Sequence, residues 1–142
     1  MTADEVVASL GLTPHPEGGA YRETFRHVPE RGGPNWGGRG AMTAIYYLLR
    51  AGERSHWHRV DAAEIWHFYA GAPLALEMAR AQGDAIETVD LGPDLAAGQT
   101  PQAAVPAGWW QAARSRGAWT LVGCTVGPAF EFAGFELAPK PG

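Results

Sequence analysis

The sequence has a single cysteine, a single lysine and no long run of apolar residues. Cys124 alone excludes an intrachain disulfide, so nothing in the sequence indicates an oxidising compartment. No apolar run approaches the ~18 residues of a membrane span, and no basic segment followed by an apolar one opens the chain. We therefore expect a cytoplasmic protein with no membrane partner.

Positive charge is scarce as well. Lys and Arg together number 11 against 15 Asp and Glu, which gives a formal net charge of −4. Proteins that bind nucleic acids present a basic patch or stripe, whereas the arginines here are spread along the chain. The sequence therefore predicts no nucleic-acid partner.

Glycine, proline and tryptophan are abundant, with 19, 11 and six residues in a chain of 142. Inside a helix each glycine costs ~1 kcal/mol and each proline ~3 kcal/mol relative to alanine, so long helices are disfavoured. The length suits one domain, since domains most often run ~100–150 residues. We expect a single all-β domain over residues 1–142.

One short helix is predicted within residues 1–12. Thr2 and Glu5 form a capping box at its start, and Gly11 can end it. The rest of the chain alternates short apolar segments with turn signals, which is typical of a β-sandwich or β-barrel. The predicted strands cover residues 20–27, 41–50, 55–60, 64–70, 73–80, 85–90, 102–106, 108–114, 118–126 and 129–137.

Two histidines stand two residues apart on one predicted strand. Because side chains alternate along a strand, His56 and His58 are expected to share a face. Glu64 opens the next strand and lies beside them if the two strands pair. Two imidazoles and one carboxylate form the ligand set of a non-haem Fe(II) site.

These residues carry a family resemblance. Residues 52–71 resemble the first cupin motif, in which a glycine precedes H-x-H and a glutamate and second glycine follow. Residues 98–111 resemble the second motif, whose P-x-G-x-x-H ends in a fourth metal ligand. Residues 15–24 (HPEGGAYRET), with 64–68 and 105–111, make the chain similar to the cupin-5 family over roughly residues 8–138.

The resemblance implies a cupin jelly roll over residues 13–138, with a small-molecule cavity at one end and a homodimer as the assembly. It also implies a divalent metal, Fe, Mn, Ni or Zn, held by His56, His58, Glu64 and Gln111. Gln111 stands where the fourth ligand is usually histidine, and an amide oxygen binds such metals weakly. A site without metal is therefore the other alternative.

Other side chains are predicted to meet the ligand. Glu17 is a candidate just before the strand predicted over residues 20–27, and either Tyr21 or Arg22 is a candidate at its start. Adjacent strand residues face oppositely, so only one of Tyr21 and Arg22 lines the cavity. An arginine there would bind a carboxylate or phosphate. The remaining expected cavity-wall residues are Trp66, Phe68, Trp109 and Gln111.

Three functions stay open at this level. The first is a metal-assisted enzyme acting on a small oxygen-rich, sugar-like or acid-like ligand. The second is metal-free acid–base catalysis, as in the dTDP-sugar 3,5-epimerases that cupins resemble in shape, with His56 or His58 as base and Tyr21 or Tyr47 as acid. The third is a ligand-binding module without catalysis. His15 is expected to be structural or exposed, His67 to be an outer-face or dimer-contact residue, and Cys124 to be a small buried hydrophobe.

Overall fold

The computed structural model describes residues 1–34 and 38–139. Among these, one helix, α1 (Ala3–Leu10), precedes eleven strands, and short 3₁₀ turns lie at Leu95–Ala97 and Phe132–Gly134. No helix in these ranges is long and apolar enough to cross a membrane. The strands are β1 (Thr13–Pro14), β2 (Ala20–Arg26), β3 (Thr43–Arg50), β4 (Arg54–Val60), β5 (Ala63–Gly71), β6 (Leu74–Ala79), β7 (Glu87–Leu91), β8 (Gln102–Val105), β9 (Trp110–Ser115), β10 (Trp119–Gly127) and β11 (Phe135–Leu137).

The predicted helix is confirmed with its caps. The Thr2 hydroxyl accepts the Glu5 backbone N–H at 3.2 Å, and Gly11 adopts the left-handed conformation at the end. Val6 is the buried residue of the helix and packs against Leu48 of β3. The helix therefore covers the outer face of β3, which explains why this strand is buried on both sides.

Two antiparallel sheets face each other, as the jelly-roll prediction requires. Six strands form one sheet in the order β1-β2-β3-β10-β5-β8, and five form the other in the order β11-β4-β9-β6-β7. Most neighbouring strands, such as β3 and β10 or β4 and β9, are distant in sequence, as in a double-stranded β-helix. The core between the sheets contains Tyr47, Leu49, Trp66, Leu74, Leu76, Met78, Leu91, Val105, Ala113, Val122 and Cys124.

The strand predictions are confirmed except at the C-terminal end. The first nine predicted strands correspond to β2 through β10, with shifts of at most two residues at either end. The strand predicted over 129–137 is wrong, since only Phe135–Leu137 is extended and Phe132–Gly134 forms a 3₁₀ turn. Other hydrogen bonds replace the strand ladder there. The Phe130 N–H donates to the Thr43 hydroxyl, and the Gly134 N–H donates to the Glu131 carbonyl.

A tight turn before β2 brings the chain back into the barrel. The Gly18 N–H donates to the His15 carbonyl, and the His15 N–H donates to the Gly19 carbonyl, both at 3.0 Å. Gly18 has φ of 106°, and a Cβ atom at this position would lie 2.0 Å from the Arg54 carbonyl oxygen. Only glycine satisfies both the backbone conformation and this close approach.

Gly18→Ala should therefore destabilise the fold by more than about 2 kcal/mol, because it adds a backbone clash to an unfavourable φ. Gly52→Ala is the matched control: Gly52 has φ of 79°, but nothing lies within 4 Å of its added Cβ. The control should cost only the ~1–2 kcal/mol of a left-handed alanine. Urea unfolding of both variants measures the difference, and equal losses would contradict the steric argument.

Candidate functional site

A cavity of about 170 Å³ opens at one end of the barrel, between the two sheets. One wall is apolar, formed by Ile45, Val60, Val126, Phe130 and Phe132. The polar groups that face it are His15, Glu17, Tyr21, His58 and Glu64, together with Thr43, Cys124 and, at the mouth, the ion pair of Glu23 and Arg26. A wider groove of about 380 Å³ lies around Trp57 and Trp110, but Asp84 is its only charged lining residue among those described.

Glu17 and His58 form a buried pair in this cavity. The His58 Nε2 lies 2.8 Å from a Glu17 carboxylate oxygen, and both side chains are almost completely buried. The turn before β2 places Glu17 there, and the His56 backbone N–H donates to the Glu17 carbonyl at 2.8 Å. Backbone contacts to β4 therefore hold the carboxylate against His58.

Both ring nitrogens of His58 face acceptors, since Nδ1 lies 2.7 Å from the His56 carbonyl oxygen. Only the imidazolium form can donate from both nitrogens. Burial acts to lower the pKa of His58, but the charge and hydrogen bond of Glu17 outweigh it and raise the pKa to about 9. The pair consists of an imidazolium and a carboxylate at neutral pH.

The pKa of Glu17 is lowered for the complementary reason. Burial acts to raise this pKa, but the His58 charge and its hydrogen bond outweigh burial. Glu17 is therefore the ionised carboxylate of the cavity.

The pKa of Glu64, at the start of β5, is shifted in the opposite direction. Burial disfavours its charge and the Glu17 carboxylate repels it, so its pKa rises to about 7 despite the favourable influence of His58 and Gln111. The Gln111 amide donates to Glu64 Oε1 at 2.8 Å, and Trp66 Nε1–H donates to the Gln111 oxygen at 2.7 Å. Gln111 thus connects the two sheets and fixes the Glu64 carboxyl.

The structure decides between Tyr21 and Arg22. Tyr21 is half-buried and lines the cavity, whereas Arg22 is exposed and donates to the Leu10 carbonyl at the end of α1. The prediction that Arg22 binds the ligand is wrong, because strand alternation in β2 directs it to the outer face. Glu17 lines the cavity, where the sequence placed it as a ligand-binding candidate.

His56 does not join His58. The register of β4 against β9 shifts between Ser55 and His58, so Ser55 and His58 are both buried and His56 is exposed. Such a bulge adds a residue and breaks the alternation of faces. The prediction that both histidines share a face is therefore wrong, and His56 contributes only its backbone groups to the site described here.

The aromatic side chains that were predicted to line the cavity belong to the core of the barrel instead. Trp66 is fully buried, and Phe68 and Trp109 pack against the same core cluster. The cavity lies at the Glu64 end of β5, and successive same-face residues stand ~7 Å apart along a strand. Trp66 and Phe68 therefore fill the barrel below the cavity rather than line it.

The predicted metal ligands do not fit a metal site. His56 faces away, both nitrogens of His58 donate, and both polar ends of the Gln111 amide are engaged by Glu64 and Trp66. Across residues 1–34 and 38–139, no group of three or more His, Cys, Asp or Glu side chains is arranged to hold a metal ion. We accordingly derive no step through a metal.

Of the cavity residues that the sequence did not predict, two lie close to Glu17 and Glu64. His15 was expected to be structural or exposed but lines the cavity, and Cys124 lines it as a buried thiol. Burial and the neighbouring Glu64 raise the pKa of the Cys124 thiol well above its usual value, so it stays protonated. The segment 15–24 carried the signal for His15, since its two glycines bend the chain back over β4.

The paired sheets and the end cavity define a cupin jelly roll. The chain belongs to the Cupin_5 family of the cupin superfamily (DUF985), whose model matches residues 4–138. Protein SO0799 from Shewanella oneidensis is 40% identical, with a TM-score of 0.86, over 97% of this chain and 85% of that one. A hypothetical protein from Leishmania major is 30% identical, with a TM-score of 0.87, over 97% and 88% of the two chains.

More distant structures share only the fold. Oxalate decarboxylase from Bacillus subtilis is 14% identical, with a TM-score of 0.63, over 87% of this chain and 29% of that one. No curated protein matches the sequence. The comparisons therefore define the family, and the reaction must be argued from the cavity.

Between pH 5 and pH 8, Glu64→Gln should lose less stability than the wild-type protein. The folded pKa of Glu64 lies at about 7, above the ordinary 4.5, so its contribution is full below about pH 4.5 and is lost as the pH rises through 7. The neutral glutamine can still accept from Gln111 and escapes this loss, which we expect to amount to about 1–3 kcal/mol.

Urea unfolding at pH 5 and pH 8 measures this effect. His58, whose pKa is raised from 6.5 to about 9, also loses part of its stabilising contribution over this range, and comparison with the wild type removes that shared change. Glu136→Gln is the matched control, since Glu136 is an exposed partner of Arg59. The control keeps Glu64, so its stability should change between the two pH values as that of the wild type does. An equal change for both variants would contradict the assignment of a raised pKa to Glu64.

Proposed function

We propose that this cupin is an enzyme that binds a small oxygen-rich molecule and moves protons on it without a metal. The supporting observation is a pair of buried carboxylates in one cavity whose pKa values are shifted in opposite directions. In many enzymes, two titratable groups whose pKa values are shifted apart by their environments act as the base and the acid. Glu17 is the base and Glu64 the acid in this assignment.

The proposed step is proton abstraction next to a carbonyl. Glu17, ionised, takes a proton from the carbon beside the carbonyl group, and the electrons of that C–H bond form the C=C bond of an enediol. Glu64, protonated, gives its proton to the carbonyl oxygen, so charge does not accumulate. Glu17 then gives its proton to a carbon of the enediol while the ionised Glu64 takes a proton back from an enediol hydroxyl, which restores the carbonyl and completes an isomerisation or epimerisation.

His58 serves this step as a positioning residue. Both of its nitrogens are engaged, so it does not reach the ligand as a base, but its charge keeps Glu17 ionised. Glu17 therefore takes the role of base that the sequence analysis assigned to His56 or His58. Tyr21 faces the cavity and supplies a hydroxyl that can bind the ligand.

The cavity sets the class of ligand. About 170 Å³ admits a molecule of a few carbon atoms up to a small sugar, and the apolar wall with Phe130 and Phe132 offers a surface for the C–H face of such a ring. Arg26, the one arginine among the described residues that line the cavity, is already paired with Glu23 at 2.7 Å. The site therefore favours uncharged hydroxy-carbonyl compounds over phosphates.

The test is deuterium uptake from D₂O into a panel of small ketoses and hydroxy ketones, followed by NMR. We expect exchange with the wild-type protein and a loss of about 10²–10⁴-fold for Glu17→Gln and for Glu64→Gln, the usual value of general acid–base catalysis.

Glu136→Gln, outside the cavity, is the control and should exchange normally. Binding of panel compounds without any exchange would contradict the enzyme assignment and leave a ligand-binding module. Exchange that survives both cavity substitutions would contradict the assigned residues.

Metal analysis addresses the metal-dependent alternative directly. We expect protein purified without chelators to hold clearly less than one Fe, Mn, Ni or Zn ion per chain, because the His58 nitrogens are occupied by Glu17 and a backbone carbonyl. Deuterium uptake should be unchanged after dialysis against EDTA. One tightly held ion per chain, with activity lost on its removal, would contradict the metal-free mechanism. The homodimer and the cytoplasmic location stay predictions.

A further inference from the structure

His15 is a second histidine beside Glu17, in addition to His58. The Glu17 backbone N–H donates to His15 Nδ1 at 3.0 Å. A backbone N–H can only donate, so Nδ1 carries no proton and the ring proton of a neutral His15 is on Nε2. The 4.0 Å separation between Nδ1 and the Glu17 carboxylate is too long for a hydrogen bond.

The ring of His15 is held rigidly. It packs edge-on against Tyr21, with ring centroids 4.3 Å apart, and against Tyr47 at 5.7 Å. Phe132 and Phe135 lie at 6.4 Å on other sides, and the side chain is only 6% exposed. The backbone on either side is fixed by the turn hydrogen bonds to Gly18 and Gly19.

The two histidines that flank Glu17 therefore differ in their protonation. His58 donates from both nitrogens and is charged, whereas His15 accepts at Nδ1 and is neutral. Burial, which outweighs the attraction of Glu17, lowers the pKa of His15 and favours the same neutral form. Within residues 1–34 and 38–139, no group accepts a hydrogen bond from Nε2.

We propose that His15 donates its Nε2–H to the carbonyl oxygen of the ligand and thereby selects carbonyl compounds over the corresponding alcohols. His15 lines the same cavity as Glu17 and Glu64. The consequence for catalysis rests on the proposed function, in which this hydrogen bond stabilises the oxygen on which charge develops when Glu17 removes a proton. A neutral imidazole suits this role because it stabilises the oxygen without protonating Glu17. Glu64 supplies the proton that the oxygen finally receives.

The first test reads the tautomer and needs no ligand. Long-range ¹H–¹⁵N NMR at pH 7 should show His15 as the neutral Nε2–H form, and loss of its signal in His15→Gln assigns it among the five histidines. A neutral Nδ1–H form, or an imidazolium, would overturn the proposal whatever the enzyme does.

The second test compares two probes of similar size, dihydroxyacetone and glycerol, whose binding is followed by NMR titration. The wild-type protein should prefer dihydroxyacetone by about two- to tenfold, the value of one net hydrogen bond. His15→Phe keeps an aromatic ring but removes the donor, so the preference should fall to about one. His15→Gln retains an N–H donor and should keep part of the preference.

The outcomes separate this proposal from the proposed function. A wild-type protein with no preference for dihydroxyacetone, whether it binds both probes or neither, overturns the role of His15. So does an undiminished preference in His15→Phe. If His15→Phe fails to fold, the probe preference of His15→Gln and the tautomer of His15 in the wild-type protein still test the proposal. A wild-type preference that disappears in His15→Phe, without any deuterium exchange in the panel, supports His15 as a selective donor while contradicting the enzyme assignment.

Discussion

The site depends on one ion pair, between Glu17 and His58, buried at the open end of the barrel. A carboxylate out of water is costly unless it is paired and hydrogen-bonded, and His58 supplies both the charge and the donor. Burial raises the pKa of Glu64, and the same carboxylate raises it further, because two negative charges in one small cavity repel each other. Burial and one charge pair thus determine the protonation of both acidic groups that face the ligand.

Backbone groups hold this pair in place more than side chains do. The His56 carbonyl accepts from His58 Nδ1, and the His56 N–H donates to the Glu17 carbonyl. The glycine turn before β2 allows the chain to approach β4 closely enough for these bonds to form. The H-x-H segment therefore serves the site through the main chain of its first histidine and the side chain of its second.

The candidate site was partly predictable. Glu64 and Gln111 were placed inside correctly. Glu64 shares its strand phase with the fully buried Trp66, whereas Trp109, the guide for Gln111, is only partly buried and precedes β9. His56 was placed wrongly, because alternation fails at a bulge and a bulge has no clear signature in this segment. The Glu17–His58 pair was not predicted as such, since its partners lie on different elements that meet only when the sheets close.

The sequence by itself determined the all-β class, the capped helix and the positions of nearly all the strands, because caps, turn glycines and side-chain alternation act between residues that are near in the chain. The tertiary structure alone decided which of Tyr21 and Arg22 enters the cavity, which histidine is charged and which carboxyl retains its proton. Protonation depends on burial and on charges brought together from separate strands, and no short stretch of sequence contains that information.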